Sequence, residues 1–402
     1  MATHDISLAD LTQDIAGALP PDLVLRWNES DKSLQTHQRL LEPYLLRGTI
    51  VSMDAAGLSK LTQRRSLAEV LKLVSEPKEV LHAFGKAIGG RAIGVWAADN
   101  AQMFFPETIE PAAVFEQMRA AQRRGSSLTV KMGIGMHWGN CVAIAGGLFG
   151  DDADFIEEIA ENHTHGGEIV VSESVYARLP EALRAMAAPR TDLAELAKMW
   201  SITSDTQLVH AVEGDDVHYP TPFDDVFFQK LRTSSLEQLA REHFDEYRKN
   251  ATVVFVKINH PHKPMLLDGF TDLSLADVAL RRTAIEFRGD VVKSTGALAI
   301  VLLPDEAEAL EFARAVVRAQ RTLGANARVG IAKGDVFLFP LAGTGRDIAG
   351  HAVNVASKLS EDAGVDGILV EESATTPRIV ELGRHFQFTI SGVEISACVI
   401  QP

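Results

Sequence analysis

Two stretches of the chain, "GDDADFIEEIAENHTHGGEIVVSES" (150–174) and "GHAVNVASKLSEDAGVDGILVEES" (350–373), follow one course. Each runs from a glycine through a helical pattern to a second glycine, then through Ile and an apolar run to Glu-Ser. Recurrence at a fixed separation marks a duplicated structural unit, and three further matches extend it. "GTIVSMDAAGLSKL" (48–61) pairs with "ATVVFVKINHPH" (251–262), and "GGRAIGVWAADNAQMFFP" (89–106) with "FRGDVVKSTGALAIVLLP" (287–304). "KMGIGMHWGNCVAIAG" (131–146) runs without a gap against "RVGIAKGDVFLFPLAG" (328–343). All four pairs lie about 200 residues apart, the signature of a tandem duplication.

Within each copy the hydrophobic periods give strand, long helix, hairpin, helix, two strands around a turn, helix and strand. The helices are expected over 64–87 and 110–124, with 305–323 as the counterpart of the latter. This is a βαββαβ order, an α+β ferredoxin-like core with additions. It divides the chain into a helical N-terminal extension (1–45), a first domain (46–212), a connector (213–249) and a second domain (250–402).

The 402 residues carry a formal net charge of −15, which argues against broad nucleic-acid binding, because a phosphate backbone requires a Lys/Arg footprint. Cys141 and Cys398 are the two cysteines and both sit in apolar runs, so a disulfide framework is not expected. There is no signal-peptide pattern at the N-terminus and no apolar run long enough to span a bilayer. The chain reads as cytoplasmic.

The chemistry lies in what the copies do not share. Asp54 ends a strand and precedes Gly57, a workable phosphate cradle. Asp99 tips the adjoining hairpin. The second copy has Lys257 and Ala297 at those positions, so the fold itself does not require the acids. Conversely, Lys293, Asn354 and Lys358 of the second copy are replaced by Val95, Asp154 and Glu158 in the first, and Lys131 is matched with Arg328. His163 with His165, and His260 with His262, have suggestive spacing but no third ligand in view. Trp96 and Trp138 read as packing residues, and Asp152 as a first-turn acid.

These residues carry a resemblance. "SMDAAGLSKLT", "AADNAQMFF" and "GHAVNVASKL" resemble the first metal motif, the second metal motif and the Asn-containing helix motif of class III nucleotidyl cyclases. The tandem arrangement is most similar to soluble adenylyl cyclase, with two unequal cyclase homology domains in one chain. The resemblance implies an intramolecular pseudo-heterodimer, complete without a second chain. Asp54 and Asp99 would hold two Mg²⁺ or Mn²⁺ ions. Lys131 would bind phosphate, Lys293 the adenine ring nitrogen, and Asn354 the ribose. Lys358 would stand where the family has a transition-state arginine, and His351 where adenylyl cyclases usually have a base-recognising Asp. Lys257, Ala297, Val95, Asp154 and Glu158 would form a degenerate second site, whose acids disfavour the bicarbonate that soluble adenylyl cyclases accept.

The resemblance thus implies ATP as substrate and cyclic AMP and pyrophosphate as products. Lys358 loses the planar fork of arginine, so the expected enzyme is slow. The alternatives are a catalytically inactive pseudo-cyclase that senses nucleotide or engages a regulatory protein partner, and a different metal-dependent nucleotidyl transferase on a palm-like core.

Overall fold

β-branched and aromatic residues alternate along both copies, a pattern that suits pleated, two-faced strands. The computed structural model describes residues 21–56, 61, 65–93, 100–144, 147–203, 225–241, 244–261, 263, 265–340, 346–361, 367–390 and 393–401. The chain divides into two compact units, the first built on Leu41–Pro222 and the second on Leu19–Leu40 and Ser234–Pro402.

The first unit contains β1 (Leu45–Ala56), β2 (Arg91–Ile93), β3 (Ala101–Pro106), β4 (Lys131–Ile144), β5 (Gly147–Phe149), β6 (Glu168–Ser172), β7 (Ala188–Pro189) and β8 (Met199–Thr203). The second contains β9 (Arg248–Asn259), β10 (Asp290–Ser294), β11 (Leu298–Leu303), β12 (Asn326–Pro340), β13 (Arg346–Gly350), β14 (Ile368–Glu371), β15 (Arg384–Ile390) and β16 (Val393–Ile400). The helices used below are α1 (Pro21–Asn28), α2 (Leu34–Leu41), α3 (Leu67–Ala87), α4 (Pro111–Gly125), α5 (Asp151–His163), α6 (Asp225–Thr233), α7 (Leu236–Arg241), α8 (Leu266–Glu286), α9 (Glu306–Thr322) and α10 (His351–Glu361).

Among the described residues each sheet has eight strands in the same topology: β2-β3-β1-β4-β6-β8-β7 with β5 on β4, and β10-β11-β9-β12-β14-β16-β15 with β13 on β12. The inner order β4-β1-β3-β2, mirrored by β12-β9-β11-β10, is the expected ferredoxin-like core.

Local chemistry sets the helix starts. Ser66 and Glu69 form a reciprocal capping box at the head of α3, worth about 1 kcal/mol, and Asp305 accepts from the Glu308 N–H to start α9. α3 therefore begins three residues later than the periodicity alone suggests, and it accommodates Pro77 in its interior.

One face of the first sheet packs Val51, Met53, Ile134 and Met136 against Leu81 of α3 and Phe115 and Met118 of α4. The other packs Ile50, Phe104 and Cys141 against Ile156 and Ile159 of α5. In the second unit α8 and α9 cover Val254, Val256, Val329 and Ile331. α10 lies against β12, where a Cβ on Gly330 would meet the Ala356 carbonyl oxygen at 2.0 Å, so only glycine lets the helix approach this closely.

Of the N-terminal segment, residues 21–45 are described; they hold α1 and α2, and α1 clusters with the second unit. Trp27 is fully buried, and its indole N–H donates to Asp268 Oδ1 on α8 at 2.9 Å. Among its described residues the connector holds α6 and α7. No helix among the described residues is long and apolar enough to cross a membrane.

Candidate functional site

In the first unit, Asp54 lies near the end of β1 opposite Gly133 of β4. It is half-buried. The alternation of β1 places it with Ile50 on the sheet face that α5 covers. Gly57, Val95, Asp99 and Trp96 lie outside the described residues.

Lys131 opens β4 opposite Ala56. Its ammonium donates to the carbonyl oxygens of Ser126 and Leu128 at 2.6 and 2.5 Å, so the local turn occupies the group that the resemblance assigned to phosphate. The ladders also revise its partner in the second copy. Asp54 faces Gly133 while Lys257 faces Arg328, and Ile134 pairs with Ile169 as Val329 pairs with Ile368. Arg328 is therefore the structural counterpart of Gly133, two residues beyond Lys131. A two-residue slip leaves every side chain on its original face, so hydrophobic alternation could not reveal it.

Asp154 and Glu158 are exposed on α5, and Glu158 lies 3.5 Å from His163 Nε2. Asp152 is more than a first-turn acid. It accepts from the Asn140 N–H at 2.7 Å and lies 3.1 Å from His137 Nε2, tying α5 to β4. Ser172 Oγ meets the other ring nitrogen of His137 at 3.0 Å. Desolvation lowers the His137 pKa, against the opposing pull of Asp152.

In the second unit Lys293 is buried on β10, just past a register shift between Val291 and Lys293. Val291 pairs with Val301 but Lys293 pairs with Ile300. Without the irregularity, alternation would place Lys293 on the face of Val291, which packs on the core beneath α8 and α9. The extra residue re-aims it to the opposite face.

There its ammonium meets Asp347 Oδ1 of β13 at 2.5 Å. Asp347 is 4% exposed, and the same oxygen accepts from the Ile348 N–H at 2.8 Å. His351, by contrast, is exposed on the first turn of α10. The acid that faces Lys293 stands four residues earlier. The signal was present in "RDIAGH": a buried ammonium requires a buried counter-charge, and Asp347 sits in an apolar run directly before the matched helix.

Lys257, half-buried, shares the β9 ladder with Leu298 and Arg328. The Ala297 carbonyl accepts from the Ile258 N–H at 2.6 Å. Asn354 and Lys358 are half-buried one turn apart on one side of α10. His260 Nε2 lies 3.2 Å from the Gly296 carbonyl oxygen, and His262 is outside the described residues. Among the described residues no group of three His, Cys, Asp or Glu could hold a metal ion.

Neither a family model nor a curated protein matches the sequence. Solved structures match its architecture. A class III adenylyl cyclase-like ATP-binding protein from Pseudomonas aeruginosa superposes with a TM-score of 0.54 at 13% identity, covering 84% of this chain and 86% of that one. The fold is that of the class III nucleotidyl cyclases. Two further similar structures are the adenylyl cyclase CyaB from P. aeruginosa (12% identity, 41% and 99% covered, TM-score 0.33) and the dimeric guanylyl cyclase domain of the RhoGC fusion protein from the aquatic fungus Blastocladiella emersonii (17%, 38% and 97%, 0.34).

On this cyclase fold the second unit presents a fixed cationic donor and a fixed anionic acceptor side by side, Lys293 and Asp347. The first presents a half-buried acid, Asp54, near a strand end. Such hard oxygen donors suit divalent cations, while the ammonium–carboxylate pair suits a heterocycle edge that offers an acceptor beside a donor.

Proposed function

We propose that this cyclase-fold chain binds ATP and converts it slowly to cyclic AMP and pyrophosphate. The observation that carries the reading is the buried Lys293–Asp347 pair. Adenine displays a ring-nitrogen acceptor next to its amino donor, and an ammonium beside a carboxylate answers both. A buried pair of this kind contributes little to stability relative to apolar residues of the same volume, which favours a binding role for it.

In the proposed reaction the ribose 3′-oxygen attacks the α-phosphorus and loses its proton to solvent. The bond from the α-phosphorus to the bridging oxygen breaks, and pyrophosphate leaves. Asn354 would orient the ribose, and Lys358 would offset charge growing on the α-phosphate. A carboxylate is a hard oxygen donor of the kind divalent cations take, so Asp54 with Asp99 would hold Mg²⁺ or Mn²⁺, which when bound supplies Lewis-acid activation.

Two observations favour a second reading, an ATP-binding pseudo-cyclase. The Lys131 ammonium is engaged by carbonyl oxygens, and a lysine at 358 cannot make a bidentate phosphate contact. Cyclic AMP formation by the purified chain with ATP and Mn²⁺, beside Asp54→Asn, separates the two. Product lost in the variant supports the enzyme. ATP binding without product from the wild type supports the pseudo-cyclase, and the absence of both removes the nucleotide reading.

A further inference from the structure

β10 and β13 are not hydrogen-bonded neighbours: β10 is the outer strand beyond β11, while β13 pairs with β12. Side chains bridge them twice. Lys293 meets Asp347, and the residue before Asp347, Arg346, meets Asp290, three residues before Lys293. The second bridge is a fork: Nη1 to Oδ2 at 3.1 Å and Nη2 to Oδ1 at 2.5 Å. The two bridges flank the register shift between Val291 and Lys293, the place where β10 departs from regular pairing with β11.

An ion pair with side chains 42% and 39% exposed adds little to folding stability. Its geometry is a better guide to its role, because a two-bond fork fixes distance and orientation together. Lys293 reaches Asp347 through four flexible methylenes from the irregular part of β10, and nothing in regular strand pairing fixes the spacing of β10 from β13. A recognition site needs its groups held to about 0.5 Å by surrounding contacts.

We propose that Arg346 and Asp290 form a positioning clasp that sets the spacing of β10 and β13, and thereby holds Lys293 and Asp347 at the separation needed to read a purine base. This rests on the reading of Lys293 and Asp347 as the base-recognising pair. Arg346 and Asp290 are positioning residues and do not themselves touch the nucleotide.

The test uses the full chain and two readouts, one independent of nucleotide. In the first, the rate of amine-selective labelling of Lys293 is measured by mass spectrometry in wild type, Arg346→Ala, Asp290→Asn and the double variant. Opening of the clasp should raise the rate about tenfold in each single variant, with the double no faster than either single, because both remove one interaction. In the second, ATP and GTP affinities are measured by calorimetry. Both singles should weaken ATP about tenfold and narrow the ATP-to-GTP preference, as misplaced recognition groups do, while the thermal midpoint without nucleotide stays close to wild type.

Unchanged labelling of Lys293 in both single variants overturns the clasp, as does a double variant whose effects simply add. If the wild type binds neither nucleotide, the base-recognition reading fails instead, and the labelling result alone still decides whether the clasp sets the strand spacing.

Discussion

Lys293 and Asp347 are each almost fully buried and meet at 2.5 Å. Removing one partner strands the other charge away from water, at a cost of about 3–5 kcal/mol. Lys293→Ala is therefore expected to lower the denaturant midpoint sharply. Lys293→Met combined with Asp347→Leu should recover most of the loss yet bind no ATP, separating the pair's binding role from its folding role. Retained ATP affinity in the folded double variant would remove the pair from the site. At position 358, restoring the guanidinium fork should raise cyclic AMP formation about tenfold; an unchanged rate in Lys358→Arg would mean that this side chain does not meet the α-phosphate. Lys293 was legible in the sequence because the other copy has Val95 there. Asp347 was signalled only by the need of a buried ammonium for a counter-charge, because its partner lies 54 residues away across an irregular strand.

At the scale of elements, α10 depends on Gly330. A Cβ there would lie 2.0 Å from the Ala356 carbonyl oxygen, a backbone atom that yields only if the helix moves. Gly330→Ala is expected to cost about 1–3 kcal/mol as overpacking and to shift the helix that bears Asn354 and Lys358. Gly135, the counterpart in the first unit, meets the flexible end of Ile156 at 2.9 Å, so Gly135→Ala should cost less. Comparison of the two unfolding midpoints checks the ranking. α3 makes a pH prediction. His82 is buried, and desolvation, then Lys78 and Lys86, hold its pKa well below the usual value. With the folded pKa depressed, the unfolded chain takes up the proton first as the pH falls. Stability is thus full above the unfolded pKa of about 6.5 and declines below it. His82→Leu should flatten this decline in denaturation measured at several pH values; an equal decline in variant and wild type would place the acid sensitivity elsewhere. His137 carries the same sign.

For the molecule as a whole, any ligand that binds only the folded state raises the unfolding midpoint. ATP at a hundred times its Kd should stabilise the chain by about 2.7 kcal/mol. Thermal unfolding with ATP, and with the Lys293→Met, Asp347→Leu chain as control, checks this: an upward shift in the wild type alone supports binding at that pair, and equal shifts in both move the site elsewhere. With a net charge of −15, binding of a polyanionic nucleotide requires local cations to prevail over the field of the whole protein, so the shift should be larger when Mg²⁺ accompanies ATP.

The sequence by itself determined the duplication, the α+β class and the order of elements, because alternation and paired glycines such as Gly150 and Gly350 are local or strictly repeated signals. It also singled out Lys293, Asn354 and Lys358 through the contrast between copies. Only the tertiary structure decided that Asp347 rather than His351 faces Lys293, that Arg328 corresponds to Gly133 rather than Lys131, that the Lys131 ammonium is held by its own turn, and that α1 packs on the second unit through Trp27. Two physical reasons cover the four: alternation along a strand has a period of two and is blind to the two-residue slip at Arg328, and the partner that satisfies a buried charge, a lysine ammonium or an indole N–H is chosen by packing, which a local pattern does not record.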